Sequence, residues 1–125
     1  MDSVLEFYNA VRRQFPQVTV RADAEYIKHW GEFDPEFAYS WFESLADALN
    51  RDMERGIDVQ THVDLLLFIT FALATSKHEV IHCIDVSFVE NLFWRVPKEK
   101  ARPYWLRLPQ PLKDLYIGFH HREPA

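Results

Sequence analysis

The chain has 125 residues, 48% of them hydrophobic and 15% aromatic, enough to bury a core without metals or disulfides and too apolar for disorder. Its net charge of −5 is uneven: residues 1–94 carry 16 acidic and 7 basic side chains, residues 95–125 carry 3 and 7. Only 3 glycines and one cysteine exclude a Gly-rich phosphate loop and an internal disulfide, and so negative a body disfavours nucleic acid as a partner.

Ser3 followed by Glu6 makes a capping box, and Leu5, Tyr8, Val11 and Phe15 recur on one face. A first helix therefore spans about residues 4–14 and stops at Pro16. The β-branched run Val18-Thr19-Val20 predicts an extended stretch over 17–21, with no evident strand to pair with. A brief helix over about 22–30 follows, closed by Gly31. Asp34 as N-cap, Pro35 at the first helical position and Glu36 at the positive end of the dipole open a long helix that Gly56 terminates. Ala38, Trp41, Phe42, Leu45, Ala48, Leu49 and Met53 form its buried stripe. Glu36, Glu43, Asp47, Asn50, Arg51 and Glu54 form its solvated, mostly negative face.

Asp58 starts a third long helix reaching about Thr75, apolar nearly all round over residues 65–73, which points to the centre of a bundle. Ser76 starts a fourth, through about Phe93, with Ile81, Ile84, Phe88 and Leu92 as its core stripe. Pro97, Pro103, Pro109 and Pro111 then break the pattern among Arg95, Lys98, Lys100, Arg102 and Arg107, with Tyr104 and Trp105 as anchors onto the body. A last helix over about 112–119 packs Leu112, Leu115, Tyr116 and Phe119. These elements predict an all-α, compact bundle of about five to six helices, one domain over 1–125. Its acidic body (1–94) carries a basic, proline-rich segment (95–125) that ends in a short helix.

Asp2 and Glu6 stand where a secretion signal carries basic residues, and the longest apolar run, 65–74 broken by Thr70, is about half a bilayer span. Cys83, between Ile81, Ile84 and Val86, reads as a buried inert thiol. Together these predict a cytoplasmic protein with no membrane partner.

His78-Glu79-Val80-Ile81-His82 spells H-E-x-x-H, which on a helix places two histidines on one face to share a zinc ion and a glutamate to polarise its water. The flanks argue otherwise. Ser76, three residues before Glu79, makes a capping box, the turn Thr75-Ser76-Lys77 is polar, and no sheet accompanies the motif. Asp85, about 20° from His78 around the helix, is the best third ligand, but it follows His82 at a spacing foreign to zinc proteases. The expectation is no metal, no cofactor and no catalysis. Two alternatives stay open: a structural site of His78, His82 and Asp85, and a zinc-dependent hydrolase with Glu79 as base. His62 reads as a satisfied core or rim histidine and His120-His121 as an exposed pair. Ser87 lacks a nucleophile elbow. Trp30, Trp41, Trp94 and Trp105 read as core or rim anchors, with one a candidate interface hot spot.

The run Ile84-Asp85-Val86-Ser87-Phe88-Val89-Glu90-Asn91-Leu92, with Leu108-Pro109-Gln110-Pro111-Leu112-Lys113-Asp114-Leu115-Tyr116, resembles a family of small bacterial helical proteins, some of them immunity proteins of polymorphic or contact-dependent toxin systems. The likeness covers residues 34–118 and carries no catalytic residues. It implies a protein that binds a cognate toxin domain and blocks its active site or its access to substrate. An acidic inhibitor suits a basic nuclease toxin through electrostatic steering. On the charge distribution, the expected contact surface is Glu32, Glu36, Glu43, Asp47, Glu54 and Asp58, with Trp30 at its edge. A helical adaptor for another protein partner remains an alternative. Within the first run, Asp85, Glu90 and Asn91 are expected to hydrogen-bond helix ends or loops.

Overall fold

In the computed structural model, which describes residues 1–31 and 38–125, α1 (Val4–Gln14) starts as its sequence predicts. Ser3 Oγ accepts the Glu6 N–H at 3.1 Å, and the Glu6 carboxylate accepts the Asp2 N–H at 2.7 Å. Val4, Phe7, Tyr8 and Val11 face inward, whereas Leu5, expected inside, is exposed. Pro16 ends α1 and also begins α2 (Pro16–Trp30), where its fixed φ suits the first helical position. Residues 17–21 are therefore helical, not extended. Val18 and Thr19 are buried there, and that burial outweighs a β-branched helix penalty of about 0.5 kcal/mol per residue. Gly31, at φ +86°, closes α2 as expected.

The opening of the next helix, with Asp34, Pro35 and Glu36, lies outside the described residues; α3 is described over Ala38–Glu54. Of these 17 residues 11 are buried, which makes α3 the centre of the fold. It packs against α1, α2 and later helices, with Phe42 stacked on Phe7 at 4.5 Å and Trp41 edge-on to Tyr8 at 5.1 Å. All seven residues of the expected stripe are buried. Asn50, expected on the solvated face, is fully buried as well. Its Nδ2 donates to the Asn91 carbonyl at 2.9 Å and its Oδ1 accepts the Phe93 N–H at 2.8 Å.

Asp58 begins the next segment, accepting the Gln60 N–H at 2.8 Å, but the first turn, Val59–His62, is 3₁₀. The helix that follows, α4 (Val63–Thr75), is not central. It turns Leu65, Leu66, Ile69 and Ala72 inward and leaves Leu67 and Phe71 in solvent. The next helix, α5 (His78–Cys83), is shorter than expected and passes into π-helical Ile84–Phe88 and 3₁₀ Val89–Asn91. Its capping box does not form. The N-cap is Lys77, and Ser76 Oγ instead accepts from the Met1 amine at 3.0 Å.

The proline-rich segment is helical too. Pro97 caps α6 (Lys98–Arg107), and Pro103 lies within it on the exposed side, while Ala101, Tyr104 and Trp105 pack inward. The last helix, α7 (Gln110–His120), buries Leu112 and Tyr116 but exposes Phe119. Every regular element among the described residues is helical, so the class is all-α. No described helix is long and apolar enough to cross a membrane.

Candidate functional site

On α5, His78, Glu79 and His82 are all exposed, with the two imidazoles nearly parallel, 21° apart and 6.1 Å between centroids. Asp85, one turn on, is half-buried. Among the described residues, no group of three or more His, Cys, Asp or Glu side chains is arranged to hold a metal ion. Cys83 is buried, and burial pushes its thiol up to about 12, far from thiolate reactivity.

The acidic surface divides. Glu32 and Glu36 lie outside the described residues. Glu43 and Asp47, four apart on α3, are half-buried and within electrostatic reach of His29 on α2. Burial pushes the Glu43 carboxyl above the usual range, and repulsion from Asp47 adds to it. Burial raises Asp47 likewise, with repulsion from Glu25 next. Neither forms an ion pair among the described residues. Farther along α3 the charges are balanced: Glu54 accepts from Arg51 at 2.8 Å, and Arg21, Arg51 and Arg55 line the α2–α3 groove with Glu25 and Glu54. Asp58 is committed to its turn. Trp30, stacked edge-on to His29 at 5.3 Å, and Ile27 leave apolar surface exposed at the end of α2.

A charge cluster gathers around the buried Asp52 and His62. Asp52, fully buried on α3, accepts from Arg21 of α2 and, at 2.7 Å, from Arg55; its second oxygen pairs with His62 Nε2 at 2.6 Å. Burial alone would raise the Asp52 carboxyl, but the hydrogen bonds from Arg21, Arg55 and His62 outweigh it and hold it below the usual range. His62, 3% exposed, is the satisfied core histidine its sequence setting suggests. Burial lowers its pKa more than Asp52 raises it, so near neutral pH the ring is uncharged and its Nε2–H donates to Asp52. An open cleft of about 320 Å³ runs past this dyad, between the Phe15-Pro16 junction, Arg21 and Leu65. Spacing along α3 places Asp52 on the buried side next to Met53, where only a partnered carboxylate survives.

Comparison with known proteins adds one match: a family model described as a domain of unknown function (DUF7674) covers residues 8–122. No curated protein matches, and no solved structure does.

Proposed function

The chain belongs to the DUF7674 family, whose description assigns no activity, so its action must be argued from its surface, and we propose an immunity-type inhibitor that binds a basic toxin domain and blocks it by occupancy. The observation that carries this reading is the crowding of Glu43, Asp47 and Glu25 at the α2–α3 boundary. Two of these carboxyls are raised, Glu43 by burial and repulsion from Asp47, Asp47 by burial and repulsion from Glu25, so their ionisation carries a cost that nearby His29, and Arg51 for Asp47, only partly offset. A partner's lysine or arginine would offset it, and steering toward such a patch speeds encounter. Trp30 and Ile27 beside it supply the apolar contact that interfaces place next to charge. In this reading the protein is no enzyme, takes no cofactor and works in the cytoplasm, where it meets the toxin before export.

The test is affinity capture from the native host with wild-type protein and with Glu43→Lys/Asp47→Lys. Wild type should retain a basic protein in a one-to-one complex, and the double variant should bind it at least ~10-fold more weakly at low salt. The captured domain, expressed alone, should be toxic and be neutralised by the wild-type chain. Equal capture by both proteins would remove this surface from the interface. A partner that is harmless on its own would leave an adaptor rather than an inhibitor.

A further inference from the structure

The turn after the 3₁₀ segment meets the end of α7 around an open cavity of about 330 Å³. Its floor is aromatic and firmly held. Phe93 packs edge-on against Tyr116 at 5.5 Å and against Trp105 at 5.9 Å, and its N–H is held by the buried Asn50. Its rim is cationic. Arg95, Lys98 and Arg122 are all exposed, none forms an ion pair among the described residues, and Glu123 is the one carboxylate among the cavity's lining residues. Trp94, also lining it, is 57% exposed, with the Arg95 guanidinium 5.5 Å from its ring centroid. Phe93 and Arg95 both adopt positive φ, +67° and +57°, in a region that favours glycine.

We propose that this cavity binds a free nucleoside phosphate, with Arg95, Lys98 and Arg122 on the phosphate oxygens and the base against Trp94. Each element has a physical reason. Guanidinium groups fork onto phosphate oxygens in charge-assisted pairs, and lysine adds a point charge. An exposed indole offers a planar face to a purine or pyrimidine. The volume sits at the small end of ligand sites, which run from about 300 to 1,000 Å³, and so fits one nucleotide. A free nucleotide is favoured over a nucleic-acid strand by the charge of the rest of the chain. A strand longer than the basic rim would extend over a chain whose residues 1–94 carry 16 acidic and 7 basic side chains, whereas a single nucleotide stays within the rim. The site is independent of the acidic α2–α3 surface.

Calorimetric titration of the full chain with ADP, with pyrophosphate and with a short oligothymidylate tests the assignment. ADP should bind saturably in the submillimolar to millimolar range and more tightly than pyrophosphate. Arg95→Glu/Arg122→Glu should weaken ADP by ~10-fold or more. Arg13→Glu/Lys28→Glu, the same charge change placed on α1 and α2, should leave it unchanged. Trp94→Ala should erase the preference for ADP over pyrophosphate. If the first double variant does not fold, Lys98→Glu/Arg122→Glu reads the same point from two surface side chains. Equal loss in the control pair, no saturable ADP binding by the wild type, or tighter binding of the oligothymidylate than of ADP would each overturn the proposal.

Discussion

Asp52 and His62 show how one buried pair sets a pH dependence. His62 has its pKa lowered in the fold, so between the ordinary value of 6.5 and that lower value the unfolded chain binds more protons than the folded one. Stability from this group is present above pH 6.5 and is lost as pH falls through that window. Asp52, also lowered, acts with the same sign in more acid solution, below its ordinary 3.8. Chemical denaturation at a series of pH values should therefore show stability declining below about pH 6.5. His62→Gln, which keeps a donor for Asp52 without a titrating ring, should flatten the first part of that decline. An unchanged profile in the variant would place the proton uptake elsewhere. The sequence carried half of this pair. An apolar helix around His62 marks it as a core histidine, but nothing local announces that Asp52, ten residues earlier, is its partner.

At the scale of elements, local signals yield to packing at several positions. Pro16, Pro97 and Pro103 look like breaks, yet two of them open helices and the third rides on an exposed side where one lost hydrogen bond is tolerated. Ser76 has the spacing of a capping residue, yet the Met1 amine takes its hydroxyl. Asn50 is the clearest case: by spacing it belongs with Glu43 and Asp47, but it serves as the link that joins α3 to the Phe93 turn. Asn50→Ala removes two hydrogen bonds and leaves the buried Phe93 N–H and the partly buried Asn91 carbonyl without that partner, which should cost about 2–4 kcal/mol in urea unfolding. Hydrogen exchange should accelerate over residues 84–96 more than over α1. Uniform acceleration along the chain would make Asn50 a generic core residue instead of a local tie.

For the whole molecule, the charge asymmetry visible in composition becomes two distinct surfaces, a crowded acidic boundary between α2 and α3 and a basic rim around Trp94. The acidic one has a stability consequence of its own. Because folding raises the Asp47 carboxyl, its ionisation opposes folding above its ordinary pKa of 3.8, and the penalty is fully present near neutral pH. Asp47→Asn should therefore stabilise the free protein at pH 7, on the order of 0.5 kcal/mol, while weakening capture of a basic partner. Thermal unfolding and capture on the same preparations measure both. A variant that loses stability and binds as before would show Asp47 to be a structural group.

By itself the sequence determined the helical class, the inward stripe of α3, the caps at Ser3 and Asp58, the stops at Gly31 and Gly56, and the polarity of charge along the chain. These follow from periodicity and local backbone chemistry, which act over a few residues. Only the tertiary structure decided which helix is central. Hydrophobicity favours the helix after Asp58, but α3 holds that place because its neighbours enclose it on several sides, while α4 keeps Leu67 and Phe71 in water. The tertiary structure also decided that Arg21 and Arg55 converge from the surface on the buried Asp52–His62 pair, and that Arg95 and Arg122 flank one cavity. Such meetings depend on how elements pack across long separations in sequence, and no local pattern encodes them.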